Sequence, residues 1–160
     1  MVAVLALAGC RSGGLDGQVY RKGDIAFRIG QVPPGWARID VESASLAFRD
    51  GQDAGTALVN ARCSEGLDAP LLALTNQLLA GTTEREYVRE ETIPMDGREA
   101  RHTEVRAKLD GVLMAYDIFV LKKDGCVYDF VYVTTPEQMQ SRAPAFRAFV
   151  SGFHTLESGS

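Results

Sequence analysis

The sequence predicts an α+β fold: one antiparallel sheet of about six or seven strands, closing with a four-strand meander and flanked by two helices. Three observations predict it. Asp96-Gly97, Asp110-Gly111 and Asp124-Gly125 recur at equal spacing between segments rich in Val, Ile, Tyr, Phe and Thr. Asp-Gly suits hairpin turns, because glycine accepts a positive φ at no steric cost. Two segments with helical apolar spacing bracket this region, and shorter strand-like runs precede the first of them. Strands, helix, meander and helix in that order imply layers around an antiparallel sheet.

The elements follow in order. Residues 25–29, 45–49 and 57–63 read as short strands, with Pro33-Pro34-Gly35-Trp36 breaking the first from the second. Asp68-Ala69-Pro70 opens the first helix, since proline is tolerated in a first turn; Leu71, Leu74 and Leu78 form its stripe, Leu72 and Leu79 widen it, and Gly81 ends it. The meander comprises residues 86–94, 98–109, 112–122 and 126–134. Lys123-Asp124-Gly125 fits a three-residue loop, which pairs Phe119 with Asp129 and Asp117 with Val131. A two-residue loop shifts that pairing and moves the two acids to opposite faces. Thr135-Pro136-Glu137-Gln138 starts the second helix as a capping box, and Phe146, Phe149, Val150 and Phe153 form its stripe. Pro144 should kink or restart that helix. Both alternating faces of residues 112–121 are largely apolar, so a helix is expected on each side of the sheet.

The amino terminus sets the expected compartment. The apolar run from Val2 to Ala8 closes on Leu7-Ala8-Gly9-Cys10, which reads as a bacterial lipoprotein cleavage site. In such a signal the cysteine thiol takes a diacylglycerol and the remainder leaves the cytoplasm tethered by it. No Lys or Arg precedes the run, which places the true start of such a signal upstream of Met1. The competing reading is an apolar strand ending in a buried cysteine. The expected organisation is a signal segment over 1–9, lipidated Cys10 with a flexible tether over 10–18, and one domain over 19–157. Arg11, in place of Asp after the cysteine, favours the outer membrane if the cell has two.

Composition bounds the rest. The 160 residues carry a formal charge of −4, which disfavours a nucleic-acid or anionic-lipid surface. No other apolar run approaches the roughly 20 residues of a membrane helix, so acyl chains would be the membrane attachment. With Cys10 lipidated, Cys63 and Cys126 remain as an even pair, expected to form a disulfide in an oxidising compartment. Two separate buried thiols are the alternative.

Phe27-Arg28-Ile29 leading into Pro34-Gly35-Trp36, the strand ending Asn60-Ala61-Arg62-Cys63, the meander and the Phe-rich closing helix together resemble the PsbP-like α/β/α sandwich of small bacterial lipoproteins such as the LpqN group. The resemblance spans about Val19 to His154. It implies a binding or accessory role on a larger assembly, and brings no catalytic motif to carry over.

Chemistry is sparse. There is no G-x-S-x-G elbow, no cysteine set beside a plausible histidine base, and no phosphate-cradling glycine loop. His102 and His154 stand apart, without Cys or carboxylate at ligand spacing, and read as solvated or capping groups. No metal or cofactor is expected. Asp117 and Asp129 lie inside apolar strands: they form an acid/base pair if they share a face, or each pairs with an arginine such as Arg142 or Arg147. Tyr116, Tyr128 and Tyr132, with Phe130, share one face under the three-residue loop and form either a binding platform or core beneath a helix. Trp36 is either an exposed anchor or packing over a sheet edge. The charged run Glu84 to Glu91 reads as the solvated start of an edge strand.

Taken together, the residues point to a non-enzymatic, lipid-anchored envelope protein that binds another envelope protein. The alternative is a small-molecule or lipid-binding module with its pocket between sheet and helix.

Overall fold

A computed structural model describes residues 14–51, 55–64 and 68–158. Cys10 and the apolar run before it lie outside the described residues. In chain order come β1 (Gly14–Asp16), β2 (Val19–Lys22), β3 (Ile25–Arg28), β4 (Trp36–Ile39), β5 (Leu46–Asp50) and β6 (Gly55–Cys63). Helix α1 (Leu71–Leu78) follows, then β7 (Thr82–Met95), β8 (Arg98–Leu109), β9 (Val112–Lys123), β10 (Cys126–Thr134), α2 (Pro136–Ser151) and β11 (His154–Thr155).

Seven strands form the main sheet in the order β4-β5-β6-β10-β9-β8-β7, every pair antiparallel. A second sheet of four strands, β1-β2-β3-β11, was not anticipated. It takes in part of the expected tether: Leu15 of β1 lies opposite Tyr20 of β2 and packs against the core. An apolar side chain and a turn through Gly17 at φ 59° make a strand of this short stretch.

The meander turns are tighter than the three-residue loop expected at residues 123–125. Asp96, Asp110 and Asp124 have φ near 50°, and the glycine after each is also positive. Two consecutive residues at positive φ make the type I′ turn, whose twist matches that of the flanking strands. Cys126 therefore lies opposite Lys123, Tyr132 opposite Asp117, and Asp129 opposite Val120. This register moves Asp117 and Asp129 to opposite faces of the sheet and separates Tyr116 from Tyr128 and Tyr132.

Each face has its own cover. On one side α2 and the small sheet close over Phe48, Val59, Phe119, Leu121, Tyr128, Phe130 and Tyr132, contributing Phe27, Phe146, Phe149 and Phe153. On the other, Leu74 and Leu79 of α1 and its C-terminal turn pack over Val105, Tyr116, Ile118, Val120 and Val127. Leu72, expected to widen the α1 stripe, is 49% exposed, because its position on the helix turns away from the sheet. Helix α2 runs through Pro144 as a single element, and Phe153 reaches the core from beyond its end. Thr135 makes no side-chain cap; Gln138 instead accepts from the Thr134 hydroxyl at 3.4 Å. Gly30 and Gly152 let backbones meet: a Cβ on Gly152 would lie 2.3 Å from Gly30 Cα.

Cys63 and Cys126, directly opposite one another on β6 and β10, form a disulfide with an S–S distance of 2.01 Å.

Candidate functional site

Strand alternation places His102, Glu104 and Arg106 of β8 on the face that α2 covers. The register brings Glu91 of β7 opposite His102, Arg89 opposite Glu104, and Asp117 of β9 opposite Glu104 on the other side. Helix α2 delivers Arg147 from above. The result is a closed polar network in an otherwise apolar layer.

Asp117 is fully buried and holds both flanks of it. Arg147 Nε donates to Asp117 Oδ2 at 2.8 Å, and Arg147 Nη2 donates to Glu104 Oε1 at 2.7 Å. Arg89 Nε reaches the same Glu104 oxygen at 2.9 Å. His102 Nε2 lies 2.7 Å from Asp117 Oδ1, and its Nδ1 lies 2.8 Å from Glu91 Oε1. The imidazole is stacked on Phe119 with ring centroids 4.2 Å apart, so its plane is fixed by packing. Burial works to lower the His102 pKa, but the hydrogen bonds to Asp117 and Glu91, together with the charge of Asp117, outweigh it and hold the ring above its ordinary value. Glu91 is correspondingly lowered, chiefly by its bond to His102.

Two clefts open along this network where α2 overhangs the outer strands. One, of about 440 Å³, is bordered by Arg89, Glu104, Arg106, Met139, Gln140 and Arg147. The other, of about 400 Å³, is bordered by Glu91, His102, Phe119, Val150, Phe153 and His154. Arg89 and Arg147 line both, so the two clefts adjoin as halves of one groove on either side of this pair of cations. Among the described residues no group of three or more His, Cys, Asp or Glu is placed to hold a metal ion.

The residues singled out from the sequence fall in different places. Asp117 pairs with Arg147 on α2. Asp129 pairs with Arg62 on neighbouring β6, at 3.3 Å, on the opposite face. Burial outweighs that partner and raises the Asp129 carboxyl to about 6. Arg142 serves neither acid and pairs with Asp50 at 3.5 Å. Tyr128 and Tyr132 are core beneath α2, and the Tyr132 hydroxyl donates to Asp50 Oδ2 at 2.6 Å. Tyr116 lies on the α1 side, where its buried hydroxyl has no partner, and it borders the first cleft. The shared tyrosine platform is therefore absent. Trp36 is turned inward, its ring stacked 6.0 Å from Tyr132 and tilted against Phe149 at 5.5 Å. His102, expected to be solvated or capping, is the buried centre of the network; His154 is exposed and bonds Asp96 Oδ1 at 3.0 Å. Sequence reasoning missed the network because its members lie on four elements. The available signal was the polar alternation His102-x-Glu104-x-Arg106 along a strand whose opposite face turns apolar at Val105, Ala107 and Leu109.

No family model and no curated protein sequence matches the chain. Solved structures do. Cyanobacterial PsbP (CyanoP) from Synechocystis sp. PCC 6803 superposes with a TM-score of 0.58 at 18% identity, covering 94% of this chain and 99% of that one. LpqN, involved in cell envelope biogenesis of Mycobacterium tuberculosis, gives 0.58 at 13% identity, covering 82% and 84%. A protein of unknown function from Pseudomonas aeruginosa gives 0.53 at 15% identity, covering 83% and 92%. The chain therefore has the PsbP-like fold.

Proposed function

We propose that this protein is a lipid-anchored, non-enzymatic component of the cell envelope, which binds another envelope protein as an accessory or assembly factor. The observation that carries the reading is the state of the groove: its one buried imidazole has both ring nitrogens committed to carboxylates, and Arg89 and Arg147 each hold two acids. A base for proton transfer needs a free lone pair near substrate, whereas a recognition surface needs fixed charges at an accessible rim. Arg106, exposed and outside every ion pair found among the described residues, adds a cation at that rim. Its likeness in fold to LpqN supports an envelope setting, and Leu7-Ala8-Gly9-Cys10 supports the anchor.

Acyl-lipid labelling and membrane fractionation of the protein expressed with its native upstream DNA, wild type against Cys10→Ser, tests the anchor. Cys10-dependent labelling in the membrane fraction is the expected result, and unlabelled soluble protein overturns it. A photo-crosslinker at Gln140, on the groove rim, tests the binding surface in intact cells: one specific adduct is expected, and none beyond a control on the α1 side overturns it.

The groove also sustains the second reading, a small-molecule or lipid-binding module, with a lining different from the tyrosine pocket first expected. Native mass spectrometry of purified protein distinguishes the two, since retained ligand mass favours this alternative.

A further inference from the structure

We propose that His102 is a proton-operated clasp on edge strand β7: the protonated ring holds Glu91 against the sheet, and loss of the ring proton releases Glu91 and loosens β7 along the groove. This goes beyond the binding reading and stands independently of it. The argument is one of donors and acceptors. A neutral imidazole has one N–H and one lone pair, whereas the imidazolium has two N–H donors. Both nitrogens of His102 face carboxylate oxygens, at 2.7 and 2.8 Å, so two donors are required.

The surrounding charges reinforce this. The groups facing the ring are Arg89 and Glu91 from β7, Glu104 from β8, Asp117 from β9 and Arg147 from α2; Glu104 Oε1 lies 4.0 Å from His102 Nε2. Asp96 and His154 border the same cleft and bond to each other. With His102 protonated, three cations face three carboxylates around the ring; without the proton, negative charge is in excess.

Geometry decides which contact breaks. Asp117 is fully buried and retains Arg147, so it stays. Glu91 keeps 40% of its side chain exposed, and its other partner, Arg89 at 3.4 Å, lies on β7 itself and does not tie that strand to the sheet through this contact, so Glu91 swings into water at little cost. It sits on an edge strand with only β8 as a neighbour, already interrupted by register shifts between Thr83 and Glu86 and between Tyr87 and Arg89. The side-chain tie at Glu91 thus secures the part of β7 beyond the second irregularity.

The test needs no partner. The His102 ring is titrated by NMR in the intact protein while amide hydrogen exchange, normalised for the intrinsic pH dependence, is followed along β7 and β10. The expected His102 pKa lies above the ordinary 6.5. Through that titration, protection of the β7 amides that bond to β8 around Glu91 should fall roughly tenfold, the size expected for loss of one charge-assisted hydrogen bond, while β10 stays unchanged. In Glu91→Gln the amide can face either form of the ring, so the step in β7 protection should vanish and the His102 pKa should drop. A His102 pKa at or below 6.5, flat β7 protection through the titration, or a step that persists in Glu91→Gln overturns the proposal.

Discussion

At the residue scale, two buried aspartates on adjacent strands behave differently because their partners differ. Asp117 has Arg147 and His102 within 2.8 Å, so its charge is matched. Among the described residues Asp129 has only Arg62, a longer contact to a side chain 39% exposed, and burial raises its carboxyl from 3.8 to about 6. An acid raised in the folded state contributes stability that is full below pH 3.8 and is lost as pH rises through about 6. Asp129→Asn, which cannot ionise, should therefore match wild type near pH 4 and exceed it near pH 8 in urea unfolding. A shift of about two units sets roughly 3 kcal/mol as the upper bound on the gain. Asp117→Asn should do the reverse, destabilising by roughly 3 kcal/mol at pH 6, because it leaves a buried imidazolium short of its partner. The same urea series measures both.

At the element scale, what was legible in the sequence is what local chemistry dictates. The four meander strands, the Asp-Gly turns between them, and the opening of α1 at Pro70 are set by residues a few positions apart, and the structure has them. The register beyond Asp124-Gly125 was open, because the same residues fit two loop lengths whose pairings differ by one, and one residue flips every side chain. The small sheet was illegible for another reason. Strands of two to four residues such as β1, β2 and β11 carry too few alternations to signal a period, and exist because Leu15, Tyr20 and Phe27 find a core that other elements supply. That dependence makes the junction between β3 and α2 sensitive to volume. The Gly30 N–H donates to the Phe149 carbonyl at 3.0 Å, and Gly152 packs directly on Gly30. Gly152 has a negative φ, so alanine is allowed there by its own backbone and excluded only by the neighbour. Gly152→Ala should cost roughly 1–3 kcal/mol as an overpacked contact, read as a lower midpoint in urea at unchanged slope.

At the scale of the whole molecule, two long-range links hold parts that local sequence does not bring together. Asp96, at the turn between β7 and β8, ties the main sheet to β11 of the small one: Oδ2 accepts from Lys123 Nζ at 2.8 Å, from the Thr155 N–H at 2.8 Å and from the Thr155 hydroxyl at 2.9 Å. Partial burial works against ionisation, but Lys123, Thr155 and His154 win and hold the carboxyl at about 2. A depressed acid stabilises above its unfolded pKa, so this link should weaken as pH falls from about 4 to about 2. Asp96→Asn should be less stable than wild type at pH 6, with the difference closing by pH 2. The second link is the Cys63–Cys126 bridge, spanning 63 positions of the chain. It closes a loop containing α1 and the first three strands of the meander, which an unfolded chain without the bridge would sample freely. Loop-closure entropy for that length corresponds to roughly 4 kcal/mol, an upper figure because strained or structured reference states reduce it. The bridge joins directly opposed residues at the end of strands already paired along their length, so removing it should leave the register intact. The double variant Cys63→Ala, Cys126→Ala should keep the native circular dichroism spectrum and lose about 2–4 kcal/mol in urea unfolding. A loss of spectrum instead would mean that the bridge directs the pairing of β6 with β10 and does more than restrict the unfolded chain.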